Sequence, residues 1–327
     1  MKSKALDRVD FDAATLMKTH PPQWRHRNKQ AVFDLISLSD CPFEGQIVYS
    51  RWPASQLPLI VTARNQMRIR PGVFTYPPRA KSSGLDWHMN FADPDLFVAY
   101  GSSLLAQDEL QVAEHPILGS LREALDEMGK SAKTVDEQYR PTPIIVSGVQ
   151  RRCAIDTLPN PKAGRPRGLY GNAFARASVS EVTAATNLIS PPTISNILAM
   201  AAPAGGHGYY NHDEISQIVT GACTGYLAAR WESDELTGSP SGTRIHTGFW
   251  GCGAFGGNRI LMTMLQALAA DLAEVDLVFY AFDNEGARLA EDAYERYTQL
   301  ASSTSSVAEL LQALANEKFK WGQSDGN

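Results

Sequence analysis

Thr247-Gly248-Phe249-Trp250-Gly251-Cys252-Gly253-Ala254-Phe255-Gly256-Gly257-Asn258 stands between a β-like run, Thr243 to Gly248, and a helical pattern, Asn258 to Leu272. Glycine weakens helices and strands alike. A cluster of it at a strand-to-helix junction therefore marks backbone that turns tightly or approaches something closely. The helix that follows would aim free N–H groups and the positive end of its dipole at the loop, which suits a phosphate. Downstream the alternation continues, with a buried strand at Asp276 to Phe282, a helix at Glu285 to Leu300 and a terminal helix near Val307 to Ala315. Strand and helix in turn, joined by short connections, predict an α/β fold: a mixed or parallel sheet with helices on both faces.

Upstream, Pro143 to Gly148 (PIIVSG), Trp87 to Ala92 (WHMNFA), Leu57 to Ala63 (LPLIVTA) and Gln46 to Arg51 read as strands. Apolar residues at three and four spacing predict helices at Asn28 to Leu38, Leu104 to His115, Ile117 to Met128, Thr193 to Ala202 and His212 to Arg230. The stretches Asn65 to Lys81 and Asn160 to Gly171, rich in Pro and Gly, read as surface loops, and Arg64, Arg68, Arg70, Arg79 and Lys81 as a solvated basic face. Residues 1–45 form a partly helical N-terminal extension ahead of a domain at 46–320, and 321–327 form a tail.

The 327 residues carry 30 Lys and Arg against 35 Asp and Glu, a net charge of -5, so a tight grip on a nucleic-acid backbone is not expected. A polyanionic ligand would be held locally. No uninterrupted apolar window reaches membrane-spanning length, and MKSKALDRVD lacks a signal-peptide core, so a soluble, cytoplasmic chain without a membrane partner is expected. Cys41, Cys153, Cys223 and Cys252 show no C-x-x-C spacing and read as small packing residues. His207 and His212 lack a third ligand, and no metal or cofactor is expected. Gly251, Gly253 and Gly256 also satisfy G-x-G-x-x-G, but only 71 residues follow Gly256, too few for the two halves of a dinucleotide-binding fold.

The run TGFWGCGAFGG, the helix ILMTMLQALAADLAE and the strand VDLVFYAF together resemble the C-terminal part of the poly(ADP-ribose) glycohydrolase (PARG) catalytic domain, which has a macrodomain-type fold. Asn90-Phe91-Ala92-Asp93 with Gln107-Asp108-Glu109 is similar to the family's strand motif and its Gln-Glu-Glu helix start, and Leu169 to Phe174 to its tyrosine segment. The resemblance spans roughly residues 58–315 and makes 46–320 the catalytic domain. It also departs from the family. Asp108 stands for a Glu, Asp93 for Asn or Ser, and Phe249 for Asn; the family's glycine triplet is replaced by Phe97 to Ser103, either by its bulkier residues or by Gly101-Ser102-Ser103.

The resemblance implies a catalytic Glu109, with Asp108 beside it. Breaking a glycosidic bond at the ribose anomeric carbon develops oxocarbenium character, so the leaving atom needs a proton from an acid whose conjugate base then activates water. Asn90, Asp93, Gln107 and Asp108 would surround the ribose, Ser102, Ser103, Gly251, Gly253, Gly256 and Gly257 the diphosphate, and Tyr170, Phe255 and Phe282 the adenine or ribose faces. Asp93 would act on Glu109 by like-charge repulsion or face a cationic leaving group such as a guanidinium. The expected function is an ADP-ribosyl glycohydrolase acting on ADP-ribosylated protein, mono-ADP-ribosyl and arginine-linked in preference to polymer. The alternative is a silent ADP-ribose reader.

Overall fold

The computed structural model describes residues 3–77, 84–240 and 242–326. In chain order the elements are β1 (Asp7–Asp12), α1 (Ala13–Thr19), α2 (Arg27–Ser37), β2 (Gln46–Arg51), β3 (Met67–Arg70), β4 (Leu85–Phe91), α3 (Gln107–Glu114), α4 (Ile117–Glu127), β5 (Ile144–Ile155), α5 (Ala173–Arg176), α6 (Val179–Ala185) and β6 (Thr186–Met200). They continue with α7 (His212–Thr237), β7 (Thr243–Gly248), α8 (Arg259–Ala273), β8 (Asp276–Tyr280), α9 (Asn284–Ser303) and α10 (Val307–Asn316).

One mixed sheet runs in the order β1-β2-β5-β6-β4-β7-β8-β3. From β6 through β4, β7 and β8 to β3 all pairings are parallel, whereas β6, β5, β2 and β1 pair antiparallel. Successive side chains point to opposite faces, and both faces are covered. Ile145, Leu198 and Met200 enter the core beneath α7, α8, α9 and α10; Ile144, Val146, Ile197 and Ala199 enter the one beneath α1 and α4.

Several sequence expectations change here. Thr193 to Ala202 is not a helix. Residues 193–200 belong to β6, between β5 and β4, and the apolar run at 197–200 reflects burial on both faces of a central strand, which three and four spacing mimics. Leu57 to Ala63 is not a strand: Pro58 lacks a donor, Leu59 is 86% exposed, and pairing is limited to a single bridge from Ile60 to Ser306. Inside the expected loop at 65–81, Met67–Arg70 forms a short edge strand, its exposed Arg68 and Arg70 alternating with the half-buried Met67 and Ile69. Arg79 and Lys81 lie outside the described residues. The N-terminal segment contributes β1 to the sheet and places α2 against α3 and α6. No described helix is long and apolar enough to cross a membrane.

Candidate active site

The C-terminal ends of the parallel strands are where an open α/β sheet offers a crevice. Asp93 beyond β4, Ala202 beyond β6, Gly251 to Phe255 beyond β7 and Phe282 beyond β8 line one cavity of about 280 Å³, together with Asp108, Glu109 and Tyr170. A second cavity, about 520 Å³, opens beside it under the loop that leaves β3, and Phe91, Gln107, Tyr170, Phe249 and Phe282 line both.

Helix α3 starts at Ala106, which has no side chain to cap it. Glu109 supplies the cap by reaching back, its Oε2 accepting the Ala106 N–H at 3.0 Å. Gln107 ties the same turn to β4: its Oε1 accepts from Phe91 N at 2.7 Å and its Nε2 donates to the Met89 carbonyl at 2.9 Å. That amide therefore fastens the helix start to the strand, and the glutamate carboxyl is held in the first turn of α3.

Asp108 is 7% exposed, and Asn90 Nδ2 donates to its Oδ1 at 3.0 Å. Burial drives its carboxyl up to about 8, the neighbouring Glu109 pushes the same way, and Asn90 and Lys29 oppose. The neutral form that burial favours can also donate a hydrogen bond. Lys29 of α2 is buried beside Asp108, its Nζ donating to the Tyr100 carbonyl at 2.7 Å; burial pulls the ammonium down to about 8, opposed by whatever negative charge Glu109 and Asp108 carry.

This arrangement fixes a sign. From the ordinary carboxylate range up to about pH 8, folded Asp108 keeps a proton that the unfolded chain has lost, so its contribution to stability falls as pH rises. Urea midpoints of the wild type and Asp108→Asn, measured from pH 4 to 8, are expected to diverge steadily in favour of the variant. A constant gap would show that Asp108 is ionised in the folded chain.

The glycine loop folds on itself. Gly257 N–H donates to the Gly251 carbonyl at 2.8 Å and Gly256 N–H to that of Gly253 at 3.0 Å, with Gly251 at φ +73° and Gly256 at φ +67°. A Cβ on Gly251 would lie 2.4 Å from the Ala202 Cβ. Helix α8 follows, capped by Asn258, whose Oδ1 accepts from Leu261 N at 3.1 Å. Cys252 packs in the loop, half-buried, with its thiol pushed up to about 12 by burial.

Phe282 is a bulky residue at φ +60° and 50% exposed, its ring edge-on to Tyr170 at 6.3 Å. Strain of this kind clusters at functional sites. Asn90, buried against Asp108, and Ser102, Ser103, Gly256 and Gly257 stand outside the cavity lining, whereas Val98, Ala99 and Leu104 belong to it.

The sequence reading missed three charged groups. Lys29 reaches Asp108 only through the packing of α2, and no local pattern announces it. Arg259 lines the cavity with its guanidinium 5.0 Å from the Phe249 ring; its place directly after Asn258 was a usable signal. Asp325 belongs to a C-terminal strap. Trp321 stacks on Tyr210 at 4.1 Å, Gly322 N–H donates to the Gly256 carbonyl at 2.8 Å, and the Asp325 carboxylate lies 3.0 Å from where a Gly253 Cβ would stand.

Residues 170–288 match the family described as poly(ADP-ribose) glycohydrolase (PARG), macro domain fold. Solved structures similar to the chain include the PARG of Thermomonospora curvata at 15% identity, covering 84% of this chain and all of that one with a TM-score of 0.45. The same enzyme bound to the inhibitor ADP-HPD gives 16% identity, 83% and 100% coverage and 0.48. The PARG of Deinococcus radiodurans in complex with ADP-ribose gives 14%, 89% and 94% coverage and 0.43.

Proposed function

We propose that this chain, a PARG-like protein of macro domain fold, is a hydrolase that cleaves the glycosidic bond between ADP-ribose and a protein side chain. One observation carries the reading: the Glu109 carboxyl, fixed through one oxygen by the Ala106 N–H, lines the same cavity as the glycine loop, Tyr170 and Phe282.

Glu109 gives its proton to the leaving nitrogen or oxygen, which departs from the anomeric carbon with the bonding electron pair. The ribose passes through an oxocarbenium-like state. The resulting carboxylate takes a proton from water as the water oxygen attacks that carbon, and the acid is restored. Asp108, whose neutral form burial favours, donates a hydrogen bond to a ribose hydroxyl. Gly251 to Phe255 and Arg259 receive the diphosphate. Local backbone donors and one cation suffice for a diphosphate on a chain of net charge -5.

Mono-ADP-ribosylated protein is the favoured substrate. Val98, Ala99 and Leu104 narrow the wall where a glycine triplet would leave room for a chain of ADP-ribose units, and Asp93 adds a carboxylate that suits an arginine-linked guanidinium. The test is release of ADP-ribose from arginine-, serine- and glutamate-linked protein and from polymer, side by side. Release from arginine-linked protein above all is expected. Polymer as the best substrate overturns the specificity, and tight ADP-ribose binding with no release from any substrate makes the chain a reader.

A further inference from the structure

The larger cavity contains polar groups that the reaction does not use. Gln111, on α3 one turn beyond the acids, is 2% exposed and lines this cavity; its Nε2 donates to the Tyr76 hydroxyl at 2.9 Å, and its Oε1 is buried with no hydrogen-bond partner. A buried carbonyl oxygen in that state costs stability unless something donates to it. Arg151, from β5, lines the same cavity with its guanidinium 4.2 Å from the Tyr76 ring. Its Nε donates to Glu114 Oε2 at 2.8 Å, and the other Glu114 oxygen accepts from Ile155 N at 2.8 Å. Tyr76 thus holds both side chains, one through its hydroxyl and one through its ring. What the two side chains bring to one cavity is an acceptor from Gln111 and the guanidinium donors of Arg151, walled by Phe74 and Phe282.

We propose that Gln111 and Arg151 read the base of the bound nucleotide, Gln111 Oε1 accepting from the adenine amino group and an Arg151 Nη donating to the adjacent ring nitrogen. Adenine presents that donor and acceptor side by side, whereas hypoxanthine and guanine put a carbonyl oxygen where the amino group would be. A carbonyl facing Gln111 Oε1 leaves two acceptors opposed and the glutamine oxygen still unpartnered. The aromatic walls accept any base; the polar pair selects among them. This inference rests on the ADP-ribose reading above.

Titration calorimetry of the wild type with ADP-ribose and with its hypoxanthine analogue tests it without disturbing the fold. The analogue is expected to bind roughly 10-fold to 100-fold more weakly, the loss of a paired base contact. Gln111→Leu, with its melting temperature checked first, is expected to bring the two ligands within about threefold of each other by weakening ADP-ribose. Equal affinity of the wild type for both ligands overturns the base-reading role alone, as does full discrimination by a folded Gln111→Leu. Failure of the wild type to bind either ligand overturns the ADP-ribose reading and this one with it.

Discussion

Glu109→Gln is expected to lower ADP-ribose release by about 10²-fold to 10⁴-fold, the range for loss of a positioned general acid and base, while ADP-ribose affinity stays within about threefold of the wild type. The reason is geometric. The amide oxygen of glutamine still accepts the Ala106 N–H that the carboxylate accepts now, so α3 keeps its cap and the cavity its shape. Only the exchangeable proton is gone. Single-turnover release from mono-ADP-ribosylated protein, paired with calorimetry on ADP-ribose, separates chemistry from binding. Release within tenfold of the wild type would remove Glu109 from the mechanism and turn attention to Asp93, another acid of the same lining.

The second large effect is on binding. Gly251→Val is expected to weaken ADP-ribose by at least about 100-fold, or roughly 2.7 kcal/mol, and to lower the melting temperature by several degrees. Valine strongly resists a φ of +73°, and its Cβ would meet the Ala202 Cβ at 2.4 Å, so the loop must move. The movement carries with it the Gly251 carbonyl that accepts from Gly257 N–H, and with that the ring holding the loop closed. Titration calorimetry checks the affinity and differential scanning fluorimetry the stability. A folded variant that binds ADP-ribose as the wild type does would show that the glycine loop is a turn and not a ligand cradle.

Local pattern was enough for the part of the fold that surrounds the loop. β7, α8, β8 and α9 stand within a few residues of where glycine clustering and apolar period place them, because short parallel units carry their own punctuation. It failed where partners decide. Residues 193–200 have a spacing that a helix and a doubly buried strand share, and only β5 and β4 on either side resolve it. The MRIR run at 67–70 is a strand because β8 offers it an edge. The site divides in the same way. Glu109, Asp93, Tyr170, Gly253 and Phe282 came from motif and do meet at one cavity, whereas Lys29, Gln111 and Arg151 come from three separate elements whose packing no spacing encodes.

The C-terminal strap gives the proposed site a competitor of its own. Under the ADP-ribose reading, the Asp325 carboxylate and a phosphate oxygen claim the same space above Gly253, and Trp321, stacked on Tyr210, tethers that carboxylate four residues away. A group on so short a tether acts at roughly millimolar effective concentration. Every ligand that reaches the loop then shows its intrinsic affinity scaled by the fraction of chains with the loop uncovered. That discount is the same for all of them, so it lowers affinities without reordering them, and a nucleoside without phosphates escapes it.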